Sequence, residues 1–96
     1  MMAAFTYILA SASTNALYIG ATVDLRTRLA QHRAGVAGAH TTRYRIHRLV
    51  WFETHDGIRE AREREWRLKR WRRAWKEALI DETNPTWRDL AMEVPL

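Results

Sequence analysis

Two short runs of β-forming residues, joined by a small polar segment, constrain the fold of this chain more than any other feature. The first run is FTYILA, the joining segment SASTNA suits a turn, and the second run is LYIGA. Two such runs on either side of a turn are typical of a β-hairpin, which we predict over residues 5–21. If Tyr7 lies opposite Tyr18 in the paired strands, the two rings share one face of the sheet.

The segment TVDLRTRLAQHRAG, which follows the hairpin, has the start and stop signals of a helix. Thr22 or Asp24 can cap its first turn, and Gly35 suits its end. The helix carries one apolar and one basic pair at a spacing of four: Leu25 with Leu29, and Arg28 with His32. This spacing predicts a narrow apolar ridge flanked by two basic side chains.

The remainder of the chain predicts one more strand and two helical segments. IHRLVWFE is apolar on both sides, which is typical of a buried, central strand. A charged helix is predicted over residues 58–81, with a break near Arg72, and Trp87 is a candidate anchor for the tail. The order β-β-α-β-α-α indicates an α+β domain over residues 1–96, with its core at about 5–90. We expect a three-stranded antiparallel sheet flanked by helices.

The charged helix has a carboxylate in an unexpected place. Its apolar residues at helical spacing define a core-facing stripe: Ala61, Leu68, Trp71, Trp75 and Leu79. Glu65 falls on the same stripe. Because a lone buried carboxylate is costly, Glu65 should be ion-paired, hydrogen-bonded or bound to a metal. An ion pair with Arg62 or Lys69 is the structural alternative to a metal site.

Composition favours a polyanionic partner. The chain has 16 Lys and Arg against 11 Asp and Glu, a net charge of +5, and the segment REREWRLKRWRRAWK alternates Trp with basic residues. Such a segment can bind nucleic acid, although Trp at helical spacing is also typical of a core. The sequence has no cysteine, no apolar run of about 20 residues and no signal-peptide pattern. We therefore expect a soluble, cytoplasmic protein with no membrane contact.

Taken together, these residues resemble the GIY-YIG nuclease superfamily, and in particular its small single-domain bacterial branch. FTY at 5–7 resembles the first strand motif and YIG at 18–20 the second. The likeness extends over about residues 5–90, through DLRTRLAQH, TR at 42–43, KEALI and NPTWRDL. It departs from the family at Phe5 and Thr6, which replace Gly and Ile of the first motif, and in lacking a Lys after the second.

The resemblance implies a divalent-metal-dependent endonuclease that hydrolyses DNA phosphodiester bonds in repair or processing, with RNA as a further possible substrate. Mg²⁺, or Mn²⁺, is the implied cofactor. The implied catalytic residues are Tyr7, Tyr18, Arg28, His32 and Glu65, of which Glu65 is the metal ligand. The implied substrate-binding residues are Gly20, Thr42, Arg43 and Asn84.

The resemblance also implies roles for these side chains. Arg28 would neutralise charge on phosphorus, a tyrosine would orient water or take its proton, and His32 could relay that proton. Neighbouring cations would have to lower the pKa of a phenol for it to act as a base. Gly20 would allow a tight turn into the helix.

Structural interpretations of the same residues stay open at this point. The tyrosines could be packing, Arg28 an exposed helix residue, His32 a partner of the helix dipole and Asn84 a turn residue. Two other functions also fit the sequence. One is a non-catalytic nucleic-acid-binding module, and the other is an interaction domain whose Trp-Arg helix docks a protein.

Overall fold

The computed structural model describes residues 3–13, 16–34 and 46–95. Its three strands form one antiparallel sheet in the order β2-β1-β3, and its helices flank that sheet. The elements are β1 (Ala4–Ser11), β2 (Leu17–Thr22), α1 (Leu25–Arg33), β3 (Ile46–His55), α2 (Ile58–Lys69), α3 (Arg73–Thr83) and a 3₁₀ turn (Ala91–Glu93). The predicted α+β architecture and element order are confirmed.

The central strand is β1, because it pairs with β2 on one side and β3 on the other. Every residue of β1 is buried. One face of the strand packs against α1 and the end of the chain through a first core cluster, and the other packs against α2 and α3 through a second. The first cluster consists of Phe5, Tyr7, Leu9, Leu25, Leu29, Leu49, Leu90 and Val94. The second consists of Ile8, Ala10, Ile19, Val50, Trp51, Leu68 and Ile80.

Our prediction that the third strand is central was wrong, since β3 lies at an edge of the sheet. A β-bulge leaves Val50 unpaired between Leu49 and Trp51, and all three consecutive residues are buried. This bulge explains why the sequence is apolar on both sides. The edge is also covered by the end of the chain, where Leu90 N–H donates to the Leu49 carbonyl at 2.8 Å.

Helix α1 is capped by Asp24, one of the two cap residues that the sequence offered. The Asp24 carboxylate accepts hydrogen bonds from the Thr27 backbone N–H at 3.1 Å and from the Thr27 hydroxyl at 2.7 Å. These bonds satisfy one of the free N–H groups of the first turn and fix where the helix starts. Leu25 and Leu29 are buried as predicted. The helix ends at Arg33, and Gly35 lies outside the described residues.

The predicted break in the charged helix is confirmed between Lys69 and Arg73, and it changes which residues face the core. Arg72 has extended backbone and makes no side-chain cap. Ala61 and Leu68 are buried as expected. Trp75, however, was wrongly assigned to the core, because its side chain is 52% exposed. The break resets the helical phase, so that Ile80 is the buried residue of α3.

The chain after α3 is held to β3 by Asn84, which is buried. Its Nδ2 donates to the carbonyls of Val50 at 3.0 Å and Arg88 at 2.9 Å, and its Oδ1 accepts from Arg88 N–H at 3.2 Å. Trp87 packs against the second core cluster, as an anchor should. No helix in the described part of the chain is long and apolar enough to cross a membrane.

Candidate active site

Tyr7 and Tyr18 lie on the same face of the sheet, but they are not directly opposite each other. Tyr7 pairs with Gly20, and Tyr18 pairs with Leu9. The actual register differs by two residues from the direct pairing that we assumed, which keeps both rings on one face and changes the partner of each. The rings are diagonal neighbours with centroids 6.3 Å apart. Tyr7 is buried, whereas Tyr18 is partly exposed.

Gly20 leaves space for the Tyr7 ring. A Cβ atom at position 20 would overlap the Tyr7 hydroxyl oxygen and the ring carbon that carries it. The residue lies within β2, and its φ is outside the left-handed region. The tight-turn role expected for Gly20 is therefore wrong, because the residue is needed for ring packing. A contact between Gly20 and substrate stays a prediction.

His32 closes this group from α1. Its Nε2 lies 3.2 Å from the Tyr7 hydroxyl, and its ring packs edge-on against Tyr7 and Tyr18, with centroids 6.0 and 5.1 Å away. The side chain is only 3% exposed. Burial, and next the positive charge of Arg28, lower the pKa of His32. His32 is therefore a neutral imidazole at pH 7, able to accept a proton.

The pKa of Tyr7 depends on charged residues from both helices that carry the other predicted site residues. Burial raises the pKa of Tyr7 most, the neighbouring Tyr18 and the Glu65 carboxylate raise it further, and Arg28 lowers it. Arg28 extends from α1 and Glu65 from α2. The cations that we expected to lower the pKa of a tyrosine are outweighed here by burial, so Tyr7 is a protonated phenol at neutral pH.

Glu65 is accessible to a ligand from solvent. Its side chain is 22% exposed, and its Oε2 lies 2.6 Å from Nζ of Lys69 one helical turn later. Of the two ion-pair partners considered from the sequence, Lys69 is the one in place. Within residues 3–13, 16–34 and 46–95, no three His, Cys, Asp or Glu side chains form a metal-binding group. A single carboxylate still fits Mg²⁺, which keeps several waters and binds phosphate oxygens of the substrate.

The remaining predicted residues do not join this group. The amide of Asn84 is buried and bonded to the backbone of Val50 and Arg88. We therefore leave it out of the candidate site. Thr42 and Arg43 lie outside the described residues. Sequence reasoning did not identify the packing role of Gly20, because that role depends on the register that pairs Gly20 with Tyr7.

Comparison with known proteins agrees with this arrangement. The sequence pattern of the GIY-YIG catalytic domain matches residues 3–78. The chain belongs to the GIY-YIG family. This family is one of nucleases, typically endonucleases that depend on a divalent metal, and it implies a nucleic-acid substrate for the chain.

The chain is also similar to small proteins of the UPF0213 group. A UPF0213 protein of Bacillus pumilus is 36% identical over 78 residues, covering 81% of this chain and 79% of the relative. One of Halobacterium salinarum is 39% identical over 68 residues, covering 71% and 88%. The solution NMR structure of a UPF0213 protein from Bacillus halodurans has a TM-score of 0.58 and 26% identity, covering 92% of this chain and 93% of that one.

Proposed function

We propose that this chain is a divalent-metal-dependent endonuclease that hydrolyses phosphodiester bonds of DNA in repair or processing. The observation that carries the proposal is the hydrogen bond between the Tyr7 hydroxyl and Nε2 of His32, beside Tyr18 and within the electrostatic reach of Arg28 and Glu65. These groups come from two strands and two helices. Packing alone does not require polar and charged side chains from four elements to surround the Tyr7 hydroxyl.

The two tyrosines have different roles in this proposal. Tyr18 is partly exposed and would contact the attacking water and the scissile phosphate. Tyr7 lies behind it, protonated, and donates its O–H to Nε2 of His32. A proton that leaves the water would enter the Tyr18 hydroxyl, which would give its own proton to Tyr7 as Tyr7 passes its proton to the neutral Nε2 of His32. General acid–base assistance of this kind typically contributes about 10²- to 10⁴-fold in rate.

Arg28 would stabilise the charge that develops on the phosphoryl oxygens. Its guanidinium is always protonated and matches phosphate with two parallel hydrogen bonds. The side chain is partly exposed, so a phosphate can reach it, and its charge already acts on both Tyr7 and His32. Preorganised charge of this type is among the largest contributions to catalysis.

Glu65 would hold the divalent cation, Mg²⁺ or Mn²⁺, whose positive charge polarises the phosphoryl oxygens. The carboxylate offers the hard oxygen ligands that Mg²⁺ prefers. Its ion pair with Lys69 is an i,i+4 pair whose Lys69 side is exposed, and such helix pairs are worth only about 0.3–0.5 kcal/mol. A divalent cation can therefore displace Lys69 at little cost.

The test is a cleavage assay with single-stranded, duplex and branched DNA and with RNA, in Mg²⁺, Mn²⁺ or EDTA. Glu65→Ala should abolish cutting while DNA binding survives, because only the metal ligand is lost. Glu77→Ala is the matched control, since Glu77 forms a similar ion pair with Arg73 on α3 at 2.9 Å, away from the site. Wild-type protein that cuts no substrate in any metal, or a Glu65→Ala protein that cuts at the wild-type rate, would contradict the proposal.

The second candidate is a non-catalytic nucleic-acid-binding module on the same fold. The net charge of +5 favours it as much as it favours an enzyme. The same assay separates the two, because a binding module predicts salt-sensitive binding with no metal-dependent product.

A further inference from the structure

The outer surface of α2 presents an exposed aromatic ring next to the proposed metal ligand. Trp66 directly follows Glu65, and its side chain is 61% exposed. The Arg70 guanidinium carbon lies 4.6 Å from the centre of the indole. The exposed indole and the arginine beside it offer a flat aromatic surface and a positive charge to a ligand.

The helical geometry places this ring about a quarter of a turn around α2 from Glu65, on the solvent side of the helix. With about 100° of rotation per residue, Lys69 lies about 40°, Arg62 about 60° and Trp66 about 100° from Glu65, all in one direction around the axis. Arg62 and Trp66 are exposed. A strand bound at Glu65 can therefore continue past Arg62 to Trp66 without crossing the buried side of the helix.

The chemistry of this surface fits one kind of partner. A shallow groove along α2 is lined by Ile58, Arg59, Arg62, Glu63, Trp66 and Arg67. It holds three arginines and a single carboxylate, which is itself paired with Arg59 at 3.7 Å. Cationic forks recognise phosphates, and an exposed indole stacks on a flat aromatic base. Paired bases in a duplex are already stacked, so only unpaired nucleotides offer both groups together.

We propose that the outer surface of α2 binds unpaired nucleotides next to the bond that is cut. A base stacks on Trp66, and Arg62 contacts a phosphate between Trp66 and the site at Glu65. This inference rests on the proposed nuclease function, which places the nucleic-acid strand at Glu65. It makes Trp66 a specificity-determining residue that favours single-stranded segments and flaps over continuous duplex.

The experiment measures binding without cutting, in EDTA, by fluorescence anisotropy of labelled 20-mers of thymidine, of uridine and of a duplex. Trp66→Ala should weaken binding of the single strands about ten-fold, the loss of one stacked base, and leave duplex binding unchanged. Trp75→Ala is the matched control, because Trp75 is a similarly exposed indole on α3 that has its own arginine, Arg72. It should change single-strand affinity less than two-fold.

A second variant tests the phosphate contact. Arg62→Gln should make the negative slope of log K against log salt shallower by about 0.7, the value for one phosphate of a single strand. Tighter binding of either the thymidine or the uridine strand supports the inference and identifies the sugar that the surface prefers. Equal loss with Trp66→Ala and Trp75→Ala, or equal loss on single strands and duplex, would overturn it.

Failure of this inference can be told apart from failure of the proposed function. Suppose that the wild type cuts DNA, that Glu65→Ala is inactive, and that Trp66→Ala binds single strands as the wild type does. These results would reject binding at the α2 surface and support the nuclease function. Because Trp66 is exposed, its replacement should leave the melting temperature within a few degrees of wild type, which excludes unfolding as the cause of weaker binding.

Discussion

The two faces of β1 hold their buried polar groups in different ways. On the face toward α2, the Thr6 hydroxyl donates to the Ala61 carbonyl at 2.7 Å, and Asn84 at the end of α3 bonds only to backbone. On the opposite face, Tyr7 bonds to the side chain of His32. The Nδ1 atom of His32 is buried with no hydrogen-bond partner in the part of the chain that is described.

This difference separates structural polar groups from candidate catalytic ones. Thr6 and Asn84, which we call the backbone-bonded pair, satisfy fixed donors and acceptors and tie elements together. Tyr7 and His32, the side-chain-bonded pair, are hydrogen-bonded to each other. Burial raises the pKa of Tyr7 and lowers the pKa of His32. Perturbed titratable groups that bond to one another in a small domain are a physical indication of a functional site.

The largest stability effect should come from the backbone-bonded pair. Asn84→Ala removes three hydrogen bonds and leaves the Val50 carbonyl and the Arg88 backbone unsatisfied. The free energy of unfolding should fall by about 3 kcal/mol in urea denaturation. Cutting per folded molecule should stay at the wild-type level. A folded Asn84→Ala protein that has lost activity would place Asn84 in the site and break the comparison.

A smaller loss of stability, together with loss of activity, is expected at Gly20. Gly20→Ala adds a methyl group where the Tyr7 ring lies, which should cost about 1–3 kcal/mol in unfolding free energy and displace the hydroxyl from His32. In a Tyr7→Val background, with the ring absent, the same change should cost much less. A double-mutant cycle measures this coupling. Equal costs in the two backgrounds would show that the ring is not the reason for the glycine.

The smallest effect is the pH dependence that His32 gives to stability. Its pKa in the folded chain is below the unfolded value of about 6.5, so the unfolded chain binds the proton first. The stability that the neutral, buried imidazole contributes is fully present above about pH 6.5, and it is lost as the pH falls toward the lower pKa of the folded chain. Melting temperatures between pH 7 and pH 5 should therefore fall more for wild type than for His32→Asn. Parallel curves would argue against a buried, neutral His32.

The sequence predicted the elements of this fold better than their arrangement. Periodicity and capping identified the hairpin, α1 and the break after α2, because those signals are local. The register of Tyr7 with Gly20 depends on the turn, which pattern alone does not determine. The edge position of β3 was missed because a bulge buries Leu49, Val50 and Trp51 together and imitates a central strand.

The sequence could predict only those site residues whose side-chain type fits a catalytic role. Tyr7, Tyr18, Arg28, His32 and Glu65 were identified by resemblance and lie where they can act on one another. The exposure of Trp75 was not predicted, because Trp at helical spacing is typical of the core and only packing reveals which indoles remain in water. The hydrogen bonds of Asn84 to backbone were not predicted either, since the sequence does not distinguish a buried asparagine from an exposed one.

The most direct test compares two variants at neighbouring residues of β1, Tyr7→Phe and Thr6→Val. Each variant removes one buried hydroxyl group. The measurement is the single-turnover rate of metal-dependent DNA cutting, with unfolding free energies for both variants. Tyr7→Phe should cut about a hundred-fold more slowly and lose about 1 kcal/mol of stability, because Nε2 of His32 loses its buried partner. Thr6→Val should lose about 1 kcal/mol of stability and cut within about two-fold of wild type. A Tyr7→Phe protein that cuts at the wild-type rate would contradict the account.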